Sequence, residues 1–361
     1  MPDPIAFPDH RARPALSTAG LPLHVPEQLD PENFLELDLP VLDVRSPAEF
    51  ARGHIPGAHS FPLFTDEERA IIGTLYKQKG RDQAFLKGLE FTGPRMAAMV
   101  TQALELAPDR KVRLHCWRGG ERSASVGWLL SKAGFHVSIL KGGYKAFRNH
   151  VLRNFDRPLD LRVLGGFTGS GKTAHLRDLR SKGHQVIDLE DLACHKGSSF
   201  GAIGQAPQPS TEHFENLLFN ELRQIDPQRP LWLEDESMMI GKVRIPDGIY
   251  RQMRSAPLIF IDRPLEARAA HLVDEYGRHD AAELATAIGR IGKRLGPQHA
   301  KAAIEALGQG DLYSVAIIAL RYYDKAYSRG LAERDPSRIL RLAGDGPSLQ
   351  HALQQHADTG G

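Results

Sequence analysis

The chain has 361 residues, 41% of them hydrophobic and 25% charged, and its formal net charge is only +2. This length favours two domains, because a single core rarely serves more than about 250 residues. The composition is that of a globular protein without the apolar run of roughly 18 residues that a membrane span requires, and two cysteines exclude a disulfide framework and a Cys-rich zinc site.

The first domain is predicted at residues 30–150, after an N-terminal extension at 1–29 that is rich in proline and lacks sustained periodicity. The extension also lacks the charged-then-apolar pattern of a signal peptide, so we expect a cytoplasmic protein. Residues 39–45 are a strand candidate, and the Ser-Pro-Ala-Glu that follows has the residue types that start a helix. Strands that alternate with helices predict a parallel sheet.

Cys116 lies where a predicted strand at 111–114 gives way to a predicted amphipathic helix at 123–132. Loop N–H groups, the helix N-terminus and the Arg122 guanidinium all stabilise negative charge there, so they favour a thiolate and a bound tetrahedral oxyanion. The alternative is a buried inert cysteine, which rarely precedes Gly-Gly at a strand end. The other residues of this predicted anion loop are Trp117, Arg118, Gly119, Gly120, Glu121 and Ser123.

The first domain resembles the rhodanese family. The motif that carries the resemblance comprises Asp43, Arg45, Ser46, Pro47, Glu49, Phe50, Gly53, His54, Ile55, Pro56, Gly57 and Ala58. The resemblance implies that Cys116 carries a persulfide or a related chalcogen adduct, and that Asp43 and Arg45 form a structural charge pair. Cysteine-dependent phosphatases share the pattern His-Cys-x-x-Gly-x-x-Arg-Ser, and one group of them shares the rhodanese fold. The loop alone therefore does not separate the two chemistries.

A locally basic stretch follows the anion loop and includes the predicted linker at 151–158, which Pro158 interrupts. Only two aspartates oppose its positive charges, so the stretch can face a polyanion such as RNA. The alternative interpretation, with equal weight, is a solvated linker helix that binds no polyanion. The residues we take as candidates for binding RNA phosphates are Lys141, Lys145, Arg148 and Arg153.

A second phosphate motif follows the apolar strand predicted at 159–165, which is the context that a P-loop requires. Its backbone N–H groups can approach a diphosphate, Lys172 supplies a positive charge, and Thr173 can reach a magnesium ion. The alternative, a Gly-rich turn, leaves Lys172 unexplained. The predicted diphosphate-binding residues are Gly166, Thr168, Gly169, Ser170, Gly171, Lys172 and Thr173. Two groups of carboxylates follow later predicted strands, and one member is expected to position magnesium or its waters while the rest are solvated; the groups are Asp188, Glu190 and Asp191, and Glu234, Asp235 and Glu236, of which Asp188, Glu234 and Asp235 are the preferred candidates.

The second domain is predicted at 159–345, before a tail at 346–361. Its strand candidates and helix candidates alternate, and the region from 281 to 329 is expected to be helical. The strand candidates after the P-loop are 185–189, 230–235 and 257–262, and the helix candidates are 211–225 and 265–276. The predicted fold is therefore α/β, a rhodanese-like parallel-sheet domain followed by a P-loop NTPase-like α/β domain with a helical C-terminal region.

Together, the Cys-Trp-Arg-Gly-Gly-x-Arg-Ser loop and the P-loop resemble the tRNA 2-selenouridine synthases. The resemblance implies replacement of sulfur by selenium at the 2-position of wobble 2-thiouridine, through S-geranylation by geranyl diphosphate and then selenation by selenophosphate. The resemblance implies that tRNA is a partner and that an enzyme supplying selenophosphate is a further one. It implies no tightly bound cofactor, and a Mg²⁺ ion is compatible with the P-loop. Trp117 and Arg118 would then stack on or clamp the flipped uridine; the equal alternative for Trp117 is that it packs on the loop.

Three other readings stay open at this stage. A rhodanese-fold phosphatase needs a general-acid carboxylate, for which Glu121 is the adjacent candidate. A P-loop kinase or ATPase with a sulfurtransferase domain predicts ATP turnover. An RNA-binding adaptor without catalysis would leave both Cys116 and Lys172 dispensable.

Overall fold

The computed structural model describes residues 25–343 and 351–355, so most of the predicted N-terminal extension and most of the predicted tail lie outside the described residues. The strands are β1 (Glu27–Leu29), β2 (Val41–Asp43), β3 (His59–Ser60), β4 (Lys111–His115), β5 (His136–Leu140), β6 (Leu161–Gly166), β7 (Gln185–Val186), β8 (Leu231–Glu234), β9 (Met239–Ile240), β10 (Val243–Arg244), β11 (Leu258–Asp262) and β12 (Ile339–Ala343).

The α-helices that precede the P-loop are α1 (Pro31–Glu36), α2 (Pro47–Arg52), α3 (Asp66–Lys79), α4 (Arg81–Thr92), α5 (Met96–Leu106), α6 (Glu121–Lys132) and α7 (Gly143–Asn154). Those that follow are α8 (Lys172–Ser181), α9 (Leu189–Leu192), α10 (Thr211–Leu222), α11 (Asp247–Ser255), α12 (Leu265–Tyr276), α13 (Ala281–Leu295), α14 (Pro297–Gly308) and α15 (Leu312–Ala332). Within the described residues, no helix is long and apolar enough to cross a membrane.

The first compact unit contains the described residues up to Ser46 together with His59–Gly143. Its five strands lie in the order β1-β5-β4-β2-β3, and every pair is parallel, which confirms the predicted sheet. Strands β2 and β4 are buried along most of their length because helices cover a parallel sheet on both faces. Strand β1 lies inside the segment that the sequence assigned to the extension, and its pairing with β5 makes it part of this sheet.

Helices α3 to α5 fill the interval between β3 and β4, for which the sequence analysis gave no elements. A local signal was present at the start of α3, where Thr65 and Glu68 form a reciprocal capping box. Helix α3 has no buried residue, and this is why its apolar periodicity is weak.

The second compact unit contains Pro47–Ala58 and the described residues from Tyr144 onward. Its five parallel strands lie in the order β12-β11-β6-β8-β7, with β6 at the centre. The strand order reverses at β6, so the chain that leaves its carboxyl end enters the crevice where open α/β sheets bind ligands. Helices α12 to α15 confirm the predicted helical C-terminal region.

Two segments of the second unit differ from their expected roles. The predicted linker at 151–158 begins inside helix α7, and Val151 and Phe155 are buried, so its first half is core structure. Residues 351–355 of the predicted tail are helical, and Leu353 packs in a buried cluster with Trp232. Both segments contain apolar side chains that stabilise this unit by burial.

Candidate functional sites

The Cys116 loop connects β4, which ends at His115, to α6, which begins at Glu121. The Cys116 side chain is 3% exposed, and its Sγ lies 3.2 Å from the hydroxyl oxygen of Ser123. That hydroxyl donates to the carbonyl of Gly120 at 3.0 Å, and Gly120 provides no capping side chain for α6. The sulfur therefore lies at an uncapped helix N-terminus, where N–H groups stabilise an anion.

The turn after β5 supports this loop from behind. Gly143 has φ +61°, and a Cβ placed on it would lie 2.4 Å from the Cys116 carbonyl oxygen and from the Gly119 nitrogen. Gly119 itself has φ +67°, and its Cβ would lie 2.9 Å from the nitrogen of Gly142. Only glycine fits such close backbone approaches, so the Gly-Gly pair at 142–143 is a structural part of the site. No sequence motif connects this pair to Cys116, which lies 26 and 27 positions earlier in the chain.

Asp43 and Arg45 form the predicted structural charge pair. Arg45 Nη2 donates to Asp43 Oδ2 at 2.6 Å, and both side chains are fully buried. Burial alone would raise the pKa of Asp43, but the charge of nearby His115 and the bonds from Arg45 outweigh it and lower that pKa. The pair fixes the end of β2 beside the strand that leads to Cys116.

The remaining residues of the anion loop differ in exposure. Trp117 is partly buried, with the Arg45 guanidinium 6.0 Å from its ring centroid, so at least part of the indole packs on the loop. Arg118 is exposed and Arg122 is partly buried. Glu121 is exposed and bonds to Arg81 at 2.7 Å, which leaves it a surface ion pair rather than a buried acid.

One of the four candidates for RNA phosphates has a structural partner instead. Arg148 is mostly buried and bonds to Glu215 and Asn216 on helix α10, so it joins two helices of the second unit. Lys141, Lys145 and Arg153 are exposed, as a phosphate-binding residue must be.

The second motif has the local geometry of a P-loop. It runs from the end of β6 to α8, which begins at Lys172, and Gly171 precedes the helix with φ +83°. Lys172 Nζ donates to the carbonyl of Gly166 at 3.1 Å, so the ammonium lies over the loop. The Ser170 hydroxyl is buried and has no hydrogen-bond partner among the described residues. A buried orphan donor at such a loop is what an anionic ligand would satisfy.

Asp235, one of the predicted carboxylates, lines the cavity at the P-loop and is also tied into the fold. It accepts 2.5 Å hydrogen bonds from Tyr327 and from Arg334, and the latter side chain is buried. Tyr327 in turn accepts a hydrogen bond from the Gly166 N–H at 3.4 Å. The carboxylate is therefore part of a network that connects the start of the P-loop to helix α15.

Asp188 and Glu234 also have structural partners. Asp188 caps the short helix α9 by accepting from the Asp191 N–H at 2.9 Å. Glu234 accepts from the Glu190 N–H at 2.7 Å, and burial, together with the charges of Asp188 and Glu190, raises the pKa of Glu234 well above its usual range. Among the described residues, no group of three or more His, Cys, Asp or Glu side chains is arranged to hold a metal ion.

Glu190 and Glu236, two other members of the predicted carboxylate groups, lie beside the P-loop. The Thr173 hydroxyl donates to Glu190 at 3.3 Å, and a Cβ built on Gly197 would lie within 2.9 Å of both carboxylates. Burial raises the pKa of both glutamates, although the charge of Lys172 opposes this.

A cavity of about 650 Å³ opens at the P-loop, and its walls are of two kinds. The polar wall consists of the loop and its neighbours and includes Lys172, Glu190, Lys196 and Glu236. The apolar wall, which the sequence analysis did not predict, consists of side chains from α12, α13 and α15. Its apolar residues are Leu272, Val273, Leu284, Leu312, Val315, Ala316, Ala319, Ala326 and Leu331.

Comparison with known proteins identifies relatives over nearly the whole chain. A family model described as the tRNA 2-selenouridine synthase AAA domain matches residues 159–359, and a rhodanese-like domain matches residues 27–150. A tRNA 2-selenouridine synthase from Shewanella loihica is 35% identical over 88% of this chain and 93% of its own length. One from a Sulfurovum species is 33% identical over 92% of this chain and 99% of its own length.

Among solved structures, the N-terminal domain of a Clostridium difficile protein described as ATP/GTP binding is 39% identical to 35% of this chain. The match covers 99% of that domain, with a TM-score of 0.34.

Proposed function

The chain belongs to the tRNA 2-selenouridine synthase family, and from that premise we propose that it makes 2-selenouridine in tRNA by two successive transfers at wobble 2-thiouridine. In the first, the P-loop cavity binds geranyl diphosphate and the geranyl group is transferred to sulfur. In the second, selenophosphate delivers selenium and the geranylthio group leaves. The protein is an enzyme with tRNA as its substrate, and we expect it in the cytoplasm, where tRNA is found.

The observation that carries the geranylation step is the shape of the P-loop cavity. One wall offers Lys172, loop N–H groups and the orphan hydroxyl of Ser170, which suit a diphosphate. The facing wall is built from apolar side chains of three helices, which suit a hydrocarbon chain. A prenyl diphosphate has both parts in one molecule, so it would satisfy both walls.

In this step the sulfur at position 2 of the base attacks C1 of the geranyl group as the bond from C1 to the diphosphate oxygen breaks. The electron pair of that bond leaves with the diphosphate, and the N3 proton of the base is lost to solvent or to a neighbouring base. Lys172 and the N–H groups stabilise the charge that develops on the departing diphosphate. No resident cofactor is required; a Mg²⁺ ion arriving with the diphosphate would bind beside Thr173 and Glu190.

The selenation step is assigned to the Cys116 loop. Selenophosphate is a tetrahedral anion, and the uncapped N-terminus of α6 with the Arg122 guanidinium nearby in sequence suits such a ligand. Cys116 and its loop hold it so that its selenium atom attacks C2 of the base directly. The geranylthio group then leaves as a thiol, and water attacks phosphorus, which releases phosphate and leaves selenium on the base.

The exposed Lys141, Lys145 and Arg153 are the residues we assign to contacts with tRNA phosphates. Phosphate contacts release counterions, so tRNA binding should weaken steeply as salt rises. Replacing each residue by alanine should reduce the slope of log affinity against log salt by about one per contact. Binding that is independent of salt would exclude these contacts.

The proposed function is tested by reconstitution with a 2-thiouridine anticodon stem-loop and mass spectrometry of the nucleosides. Geranyl diphosphate alone should give the S-geranyl nucleoside, and later addition of selenophosphate should give 2-selenouridine. ATP hydrolysis without either product would favour a P-loop ATPase. Hydrolysis of an aryl phosphate that depends on Cys116 would favour the phosphatase, although Glu121 is a surface ion pair in this structure.

A further inference from the structure

Helix α15 runs along the apolar wall with one face toward the cavity. Its lining residues include Leu312, Val315, Ala316, Ala319 and Tyr323, which recur at the three- and four-residue spacing of one helical face. The helix therefore presents a row of side chains in a fixed order along the cavity.

The two ends of this row are fixed by contacts. At the phosphate end, Tyr327 accepts a hydrogen bond from the N–H of Gly166. At the far end, Leu312 lies beside the end of α12, since a Cβ built on Gly277 would be 3.5 Å from its Cδ1. Helix α12 starts at the same loop, because Arg268 donates to the Thr168 carbonyl at 3.1 Å. Both helices thus extend away from the P-loop.

The rise per residue of an α-helix gives the distances between these residues along the helix axis. At 1.5 Å per residue, Ala319 lies about 12 Å from Tyr327 along the axis and Leu312 about 22 Å. With carbon–carbon bonds of about 1.5 Å, an extended isoprene unit of four main-chain bonds spans roughly 5 Å. If a diphosphate held at the loop takes up about 5 Å, the second isoprene unit spans roughly 10 to 15 Å and lies level with Ala319, and a third ends near about 20 Å, close to Leu312.

We propose that the cavity face of α15 selects the length of the prenyl chain, with Ala319 leaving the space that the second isoprene unit of a geranyl group fills. This rests on the proposed function, which assigns a prenyl diphosphate to the cavity. Ala319 is buried in the same apolar cluster as Leu284 and Val315, so the helices of that cluster limit how far a larger side chain could turn away. Leu312 bounds the same space at its far end.

The test is a competition among dimethylallyl, geranyl and farnesyl diphosphates at equal concentration, with a 2-thiouridine stem-loop as acceptor and products measured by mass spectrometry. Ala319→Leu should lower the ratio of geranyl to dimethylallyl product by about tenfold or more, since pocket contacts discriminate about 10-fold to 200-fold per methylene. Leu312→Ala should raise the share of farnesyl product. Ala302→Leu, the same enlargement at an exposed position of α14, should leave the ratios unchanged.

Two controls separate the ways in which this can fail. Affinity for inorganic diphosphate should be the same in all variants, which shows that the P-loop is intact. Wild-type ratios in both Ala319→Leu and Leu312→Ala would overturn the length selection and leave the proposed function standing. Failure of the unaltered protein to transfer any of the three chains would overturn both.

Discussion

The hydroxyl of Tyr327 accepts a hydrogen bond from the backbone N–H of Gly166 at 3.4 Å, although the two residues lie 161 positions apart in the chain. The same hydroxyl donates to Asp235, and burial beside that carboxylate raises the pKa of Tyr327 well above its usual range. Tyr327 therefore remains neutral and serves both as acceptor and as donor. Through it, the helix that lines the apolar wall is connected to the start of the P-loop.

Tyr327→Phe removes this connection without changing the packing of the ring on Phe167. Asp235 would lose one of its hydrogen-bond donors and keep Arg334, so we expect a loss of stability of about 1–3 kcal/mol and weaker binding of inorganic diphosphate. Urea unfolding and calorimetric titration measure the two effects. Tyr313→Phe, at an exposed position of the same helix, is the control and should change neither. Unaltered diphosphate affinity in Tyr327→Phe would show that the loop does not depend on this hydroxyl.

Lys172→Ala should abolish geranylation and spare selenation of a stem-loop that is already geranylated. The reason is that Lys172 is the ammonium group over the P-loop, whereas the proposed selenium chemistry takes place at Cys116. Product analysis with the two acceptors separates the steps. Lys182→Ala removes an exposed lysine just after the same helix and should retain both activities. Equal loss of both steps in Lys172→Ala would mean that the P-loop serves another purpose.

Cys116→Ser should have the opposite pattern, with geranylation intact and selenation lost. The hydroxyl is close in size to the buried thiol and keeps Ser123 as its neighbour, but it replaces the sulfur that we propose holds selenophosphate for attack. Cys194→Ser, which changes the other cysteine, should retain the selenation activity of the wild type. If Cys116→Ser still converts geranylated stem-loop to 2-selenouridine, the thiolate has no part in the selenium step.

Gly143→Ala should disrupt the Cys116 loop although it changes neither a charge nor the cysteine. Its Cβ would lie 2.4 Å from two backbone atoms of the loop, so the loop must move, and selenation should fall by an order of magnitude or more. Gly80→Ala is a matched control, because Gly80 also has positive φ but nothing within 4 Å of its Cβ position. It should cost stability, by about 1–2 kcal/mol, while leaving selenation intact. Equal selenation rates in the two variants would contradict the close approach.

His213 should make the stability of the fold depend on pH below neutrality. Its Nδ1 accepts from the His54 N–H at 3.5 Å, and burial, with the charge of His54, lowers the pKa of His213 to about 4. The unfolded chain binds the proton near pH 6.5, so stability is lost as the pH falls from about 6.5 to about 4, by at most about 3 kcal/mol. Urea unfolding across this range measures the slope.

His213→Gln, which keeps a hydrogen-bond acceptor but does not titrate, should flatten that slope. His299→Gln, at an exposed position of α14, should leave it unchanged. Equal slopes for the wild type and His213→Gln would mean that His213 is protonated equally readily in the folded and unfolded states.

Helices and strands that are marked by nearby residues in the sequence were predicted with nearly correct bounds. Helix α12 spans the predicted residues 265–276, and β11 differs from the predicted strand by one residue at its start, because proline precedes each of them and buried apolar runs follow.

Strand β12 was not predicted from the sequence. It lies at the edge of its sheet with mostly exposed side chains, and only its pairing with β11 makes it a strand. The predicted carboxylates show the same limit, since Asp235 and Glu236 are adjacent in sequence but only the latter faces Lys172.

The amino-acid sequence by itself determined the two anion loops and the fold class. Each loop gathers its glycines, its charged residue and the following helix N-terminus within a few positions, so its chemistry is a local property. Only the tertiary structure decided what surrounds each loop: the turn at Gly143 behind Cys116, and the apolar wall of α12 and α15 beside Lys172. These neighbours come from distant parts of the chain, and their positions depend on how helices pack on the sheets rather than on any motif.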